Sequence, residues 1–264
     1  MILAFLGPRG SFSEIAAKKF RPEAELMAYP TFIELFKALE SGECDYIAVP
    51  IENSLNGSVS QNIDLMQASD AVAVEECVVE VDHRLATLEG ADINNITRIY
   101  SHQQALAQCA GYLSKNFPKA ELIASPSTSA GLKLVKDRTE AAIVGAHLKA
   151  EGFTLSGKNI ADGERNMTHF LLVKKGEAVE GAHSQKVFFS ATCKHKPGAL
   201  ISLLQPIGER GVNMTKIQSR PIKDRPGEYR FFIEIEGDIA DGNCAQTIES
   251  IKRASNSFKI LGCY

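Results

Sequence analysis

The run Asn166-Met167-Thr168-His169 places an amide, a hydroxyl and an imidazole immediately before the apolar segment 170–173. A polar run that feeds straight into an apolar strand delivers its side chains to the mouth of a sheet, where a ligand can reach them. Neighbours on a strand point to opposite faces, so Thr168 and Phe170 share one face and His169 takes the other. A second polar run, Pro50-Ile51-Glu52-Asn53-Ser54 with Gly57 after it, offers amide and hydroxyl donors suited to a carboxylate. Gly57 lets the backbone come close, and Glu52 reads as a structural acceptor for loop N–H groups. A third, Ser101-His102-Gln103-Gln104, sets a titratable imidazole at a strand exit, where a hydrogen-bonded scaffold is the commoner role for a lone histidine.

Three strand-to-helix turns, 7–13, 50–60 and 100–104, gather hydroxyls, amides and glycines at helix starts. A helix start carries unpaired N–H groups and a partial positive charge, which suits a carboxylate or phosphate. If the three turns share one end of a sheet, they form an anion-binding cleft. Other chemistries are excluded. No glycine pattern matches a dinucleotide fingerprint or a P-loop, and no Gly-x-Ser-x-Gly nucleophile elbow is present. The six cysteines, at 44, 77, 109, 193, 244 and 263, form no Cys-x-x-Cys, and no histidine pair has metal-ligand spacing. Neither a metal nor an organic cofactor is expected.

The elements that must position these residues are legible in outline. Composition is that of an ordinary folded protein of 264 residues, with 44% hydrophobic and 23% charged residues. A formal charge of −3 without basic tracts excludes nucleic acid as a partner. No apolar run approaches the roughly 20 residues of a membrane span, and the first residues lack the basic start of a signal peptide. A reducing cytoplasm is the expected location. Strand and helix patterns alternate to about residue 175, as in an α/β sheet. Strands are expected at 2–6, 46–49, 71–81, 99–100, 120–124, 141–144 and 170–173. Ser11 with Glu14 and Thr31 with Glu34 read as capping boxes, and Ser101 with Gln104 caps a helix with the stripe Leu106, Cys109, Ala110 and Leu113. Gly42 ends the second helix. A further helix is expected at 129–136. Residues 174–185 are nearly devoid of apolar side chains and read as a tether. After it, strands 187–192, 214–219, 229–236 and 258–261 with helices 198–210 and 244–254 give the ferredoxin-like βαββαβ order.

Several short motifs, in order, make the chain resemble the prephenate dehydratases. They are Gly7-Pro8-Arg9-Gly10-Ser11-Phe12-Ser13, Pro50 to Ser54 with Gly57, Ser101-His102-x-Gln104-Ala105-Leu106, and Asn166-Met167-Thr168-His169-Phe170. The second module resembles an ACT domain: Gly198-Ala199-Leu200-Ile201 and Gln218-Ser219-Arg220-Pro221 stand where that family binds phenylalanine. The resemblance implies an α/β catalytic domain over 1–176, two-lobed like the type II periplasmic binding proteins, and an ACT regulatory domain over 186–264. The implied enzyme is a carbon–oxygen lyase converting prephenate to phenylpyruvate, CO2 and water in phenylalanine biosynthesis, without a cofactor. Thr168 is then the catalytic residue, assisting departure of the ring hydroxyl. Ser13, Asn53, Ser54, Gly57, Ser101, Gln104, Asn166 and Phe170 bind substrate, with His102 and His169 as further candidates.

The family motif reads Thr-Arg-Phe, and His169 stands in place of its arginine. Three readings of that change stay open. His169 grips a carboxylate, or it faces away from the cleft, or it marks a shift toward arogenate. Gly198, Ala199, Leu200, Asn213, Gln218, Ser219 and Arg220 are the implied phenylalanine site, and Gln218 replaces the motif's glutamate. ACT domains pair, which implies a homodimer or a homotetramer built as a dimer of dimers. A separate polypeptide is expected to supply chorismate mutase activity. Arogenate dehydratase and a non-catalytic amino-acid sensor are the alternatives.

Overall fold

The computed structural model describes residues 1–148, 150–163, 165–177, 184–223, 225 and 227–264. Its strands are β1 (Ile2–Leu6), β2 (Glu25–Tyr29), β3 (Tyr46–Asn53), β4 (Gly57–Ser58), β5 (Ala71–Glu80), β6 (His83–Leu88), β7 (Arg98–Ser101), β8 (Glu121–Ala124), β9 (Glu140–Gly145), β10 (Phe153–Leu155), β11 (Met167–Lys175), β12 (Lys186–Thr192), β13 (Met214–Pro221), β14 (Tyr229–Glu236) and β15 (Ser257–Cys263). The helices are α1 (Phe12–Phe20), α2 (Phe32–Ser41), α3 (Ser60–Ala68), α4 (Gln103–Gln108), α5 (Ala110–Asn116), α6 (Thr128–Leu132), α7 (Ala199–Glu209) and α8 (Gly242–Ala254). The chain forms two compact units. Met1–Leu35, Ala48–Val59 and Cys77–Phe170 make the first; Phe36–Ile47, Ser60–Glu76 and Leu171–Tyr264 make the second.

The first unit holds the sheet β10-β6-β9-β7-β8 and the parts of β5, β11 and β3 that continue as β5-β11-β3-β1-β2. Strand β9, antiparallel to β6 and parallel to β7, is buried at every position, and β1 at its three central ones, as strands inside a covered sheet should be. Leu85, Ile99, Leu106, Cys109 and Leu113 pack into one core beneath the first of these sheets. The expected stripe on the helical segment holds except at Ala110, which is exposed while Ala105 is buried. The single helix expected there breaks at Cys109, which caps α4 and starts α5.

Two capping expectations need correction. Ser11 caps α1 by accepting the Glu14 N–H at 3.3 Å, but the Glu14 carboxylate accepts the N–H of Gly10 rather than that of Ser11. Lys18 holds the other oxygen at 2.7 Å, one turn on. The cap of α4 is His102, whose Nδ1 accepts the Gln104 N–H at 3.3 Å; Ser101 belongs to β7. The helix expected at 129–136 is short and starts earlier, with Ser127 accepting the Ala130 N–H at 3.0 Å. Strands β2, β6 and β10 were not foreseen, because Glu25–Tyr29 and His83–Leu88 mix polar and apolar residues without a clean period of two.

The second unit contains the βαββαβ module, with sheet order β13-β14-β12-β15. Its core joins Val187 and Phe189 of β12, Leu203 and Ile207 of α7, Ile233 and Ile235 of β14, and Ile248 and Ile251 of α8. The parallel pair Gly262–Ala73 continues that sheet into β5. The expected tether at 174–185 falls partly outside the described residues, at 178–183; β11 runs to Lys175 and β12 begins at Lys186.

Glu234 of β14 is only 6% exposed, a position that an unpartnered carboxylate does not tolerate. Thr215 and Tyr264 donate to its two oxygens, and the Lys186 ammonium stands 3.6 Å away. Burial works to raise its pKa, but these donors and the Lys186 charge more than offset it, and the carboxyl sits below its usual range. Replacing Tyr264 by Phe removes one donor from a buried anion. Chemical denaturation should show a loss of about 1–3 kcal/mol with the secondary structure retained.

Candidate active site

One cavity of about 360 Å³ lies wholly within the first unit, in the size range of small-molecule sites. The exit of β1 with the start of α1, the β3–β4 hairpin, the β5–β6 junction, the start of β11, and the starts of α4 and α6 meet there. Ser13, Asn53, His102, Gln104, Asn166, Thr168 and Phe170 line it, as expected from sequence. No Lys, Arg, Asp or Glu lines it among the described residues. The N-capping residues of three helices, Ser11 (α1), His102 (α4) and Ser127 (α6), all face this space.

The polar wall is ordered by Asn53. Its Oδ1 accepts the backbone N–H groups of Leu55 at 3.1 Å and Asn56 at 3.0 Å, the first turn of the β3–β4 hairpin. Backbone N–H groups only donate, so the amide orientation is set by chemistry. Its NH2 group therefore faces β11, donating to Asn166 Oδ1 at 2.6 Å and to Thr168 Oγ1 at 2.9 Å. Asn166 in turn donates to Gln108 Oε1 at 3.2 Å, and His83 Nε2 lies 2.9 Å from the same oxygen. Thr168 thus accepts from Asn53 and keeps its own proton for another partner. Burial pushes the His83 imidazole pKa down, against the opposing pull of Gln108 and Asp82, so the neutral ring is favoured.

Several expected site residues do other work. The Ser101 hydroxyl is fully buried and donates to the Ile143 carbonyl at 2.8 Å, tying β7 to β9. Ser54 donates to the Arg165 carbonyl at 3.2 Å and accepts the Met167 N–H at 3.0 Å, so it fastens the hairpin to the start of β11. Gly57 is exposed and outside the cavity lining; its φ of 74° is the reason a glycine stands there. His169 is exposed on the face of β11 opposite Thr168 and Phe170, as strand alternation requires. Of its three readings, the geometry favours the one in which it faces away.

Conversely, Ser11, His83, Gln108 and the segment Pro126-Ser127-Thr128 line the cavity and were not singled out. Gln108 sits half-buried one turn beyond Gln104, and helical spacing of i, i+4 was the available signal. His83 opens a strand that the sequence pattern does not reveal. Hydroxyls flanking Pro126 at the exit of β8 were the only signal for the third helix start.

In the second unit, Gly198 has φ 79° and caps α7. Ala199 and Leu200 line a small cavity with Cys193, His195, Tyr229 and Phe231. Asn213 and Ser219 are exposed and lie outside that cavity. Gln218 and Arg220 are engaged elsewhere: Gln218 donates to Ser60 Oγ at 2.9 Å, and Arg220 pairs with Asp64 at 2.5 Å. Both partners are on α3.

Comparison with known proteins agrees with this architecture. Residues 3–178 match the family model "Prephenate dehydratase" and residues 187–252 match "ACT domain". The bifunctional chorismate mutase/prephenate dehydratase of Neisseria gonorrhoeae is 37% identical over 270 residues, covering 100% of this chain and 74% of that protein. The prephenate dehydratase of Lactococcus lactis subsp. cremoris is 35% identical over 273 residues, covering 100% of this chain and 97% of that one. Among solved structures, prephenate dehydratase from Arthrobacter aurescens in complex with L-Phe superposes with a TM-score of 0.89 at 28% identity, over 100% of this chain and 90% of the other.

Replacing Asn53 by Asp converts the donor to Asn166 and Thr168 into a third acceptor. Two buried oxygens then face a carboxylate. Stability should fall by about 1–3 kcal/mol, read from denaturant midpoints, while Asn53→Ser, which keeps a donor, should lose less.

Proposed function

The chain belongs to the prephenate dehydratase family, and we propose that the cavity of the first unit turns prephenate into phenylpyruvate, CO2 and water under restraint by L-phenylalanine. Residues 1–176 carry the catalysis and residues 186–264 the regulation. The observation that carries this reading is the Thr168 hydroxyl, which accepts from Asn53 and so has its proton free beside the cavity.

In the reaction the bond to the ring carboxylate breaks, its electron pair moves through the ring, and the C–O bond on the far side breaks, its pair leaving with the hydroxyl oxygen, which takes up one proton relayed from solvent through the Thr168 hydroxyl and departs as water. Threonine is a very weak acid, so Thr168 acts by position, through a hydrogen bond that strengthens as the leaving oxygen gains charge. Assistance of this kind is worth ~10²–10⁴ in rate. The absence of Lys and Arg among the described lining residues suits the other half of the reaction. A carboxylate without an ion pair releases CO2 more readily, because no fixed cation holds its charge in place. Ser13, Gln104, His102 and the N–H groups at the start of α1 are the donors that orient the second carboxylate. An arogenate ammonium would need an acidic partner, and none lines the cavity among the described residues, which favours the keto acid.

Regulation runs through β13 and α3. Gln218 and Arg220, in the phenylalanine motif, hold Ser60 and Asp64, and Ser60 directly follows Val59, a lining residue of the cavity. A ligand that competes for Gln218 or Arg220 changes the anchorage of α3 and of the hairpin before it. Ile201 and Ile217 are exposed on the βαββαβ module and suit pairing with a second copy, as a dimer or a dimer of dimers. Six free cysteines accord with a cytoplasmic location.

Phenylpyruvate formation from prephenate, with arogenate as control and with or without phenylalanine, tests the reading directly; no turnover would overturn it. Thr168→Ala should lower kcat at least about tenfold with an unchanged circular dichroism spectrum. Asp64→Ala breaks the Arg220 anchor without ligand, so turnover in the absence of phenylalanine should fall toward the inhibited level, and the further inhibition that phenylalanine adds should shrink by about fivefold.

A further inference from the structure

Every polar group in the wall behind Thr168 has its direction dictated from one end. Leu55 and Asn56 N–H fix Asn53; Asn53 fixes Asn166 with its Oδ1 inward; Asn166 then presents its NH2 to Gln108, whose Oε1 must receive it. The group on the other side of that oxygen, 2.9 Å away, is His83 Nε2. An oxygen already turned toward two neighbours accepts from both, so Nε2 must carry the proton. Nδ1 is left bare, and among the described residues it is a buried atom without a partner. His83 is only 2% exposed, and its backbone is held on both sides, by Asn159 Oδ1 on its N–H and by the Ile160 N–H on its carbonyl. The Phe12 ring meets the imidazole edge-on at 5.8 Å and fixes its plane.

We propose that His83 is a positioning residue: as the Nε2–H tautomer it pins Gln108 Oε1 into the wall, which turns the Gln108 NH2 toward the cavity and closes the relay that runs outward from Asn53 through Asn166, the other branch of which ends at Thr168. The inference rests on the proposed dehydratase reading for its kinetic consequence, but the relay itself is a property of the folded chain. Without the His83 donor, a flip of the Gln108 amide is opposed by Asn166 alone, at 3.2 Å. The flipped amide would show the cavity an acceptor where a carboxylate needs a donor.

Two measurements on the full chain separate the relay from the reaction. Histidine 15N NMR, with the His83 signals assigned by their loss in His83→Gln, should show Nε2 protonated and Nδ1 bare at neutral pH. The Nδ1–H tautomer or an imidazolium there would overturn the relay whatever the activity. In turnover of prephenate, His83→Gln places an NH2 near the position of Nε2 and should stay close to wild type. His83→Asn, whose amide reaches only the Nδ1 position, and His83→Leu should lose about tenfold or more in kcat/KM, chiefly through KM. The effect of His83→Leu should vanish in a Gln108→Leu background, because the histidine acts only through that amide. Equal activities for the Gln and Asn variants, or additive losses in the double variant, would sink the proposal. A wild-type chain that shows the tautomer but no turnover would fail the dehydratase reading alone.

Discussion

Two backbone N–H groups, those of Leu55 and Asn56, set the polarity of the cavity wall. They can only donate, and both reach the same side-chain oxygen, Asn53 Oδ1. From that point each amide has a single compatible orientation, through Asn166 and Gln108 to His83 on one branch and to the Thr168 hydroxyl on the other. Three neutral carboxamides are individually symmetric enough to flip. Tied to a hairpin turn they are not, and the Thr168 hydroxyl, which accepts from Asn53, is left with its own proton for another partner.

The same economy separates two classes of hydroxyl. Ser54 and Ser101 fasten strands: one locks the β3–β4 hairpin to β11, the other locks β7 to β9. Thr168, Ser13 and the capping residues of α1 and α6 line the space those strands enclose. The fastening hydroxyls donate to carbonyls within the fold, Ser54 to Arg165 and Ser101 to Ile143. Their loss would act on the site through geometry rather than through contact.

Among the described residues, no Lys, Arg, Asp or Glu lines the cavity. The buried carboxylates Glu140 and Glu234 are held by their own donors, Glu140 by Arg98, Tyr100 and the Lys136 N–H, and Glu234 by Thr215 and Tyr264. Glu14 is taken up by Gly10 and Lys18 at the start of α1. The cavity is lined by hydroxyls, amides and helix starts rather than by ion pairs among the described residues.

The sequence by itself determined the alternation of strands and helices, the strand-to-helix turns that supply the cavity, and the pairing of Thr168 with Phe170 on one face of β11. These follow from local rules: apolar period, capping chemistry and strand alternation act within a few residues of one another. His169 could be placed on the opposite face for the same reason. Only the tertiary structure decided which polar residues meet. Asn53 and Asn166 are far apart in the chain and 2.6 Å apart in space, and His83 enters the wall on a strand without a legible pattern. The strand-fastening contacts of Ser54 and Ser101 are not legible in sequence either, because a hydroxyl at a strand end looks the same whether it meets a ligand or a neighbouring strand. Hydrogen-bond direction is a long-range property, set by partners that sequence spacing does not bring together.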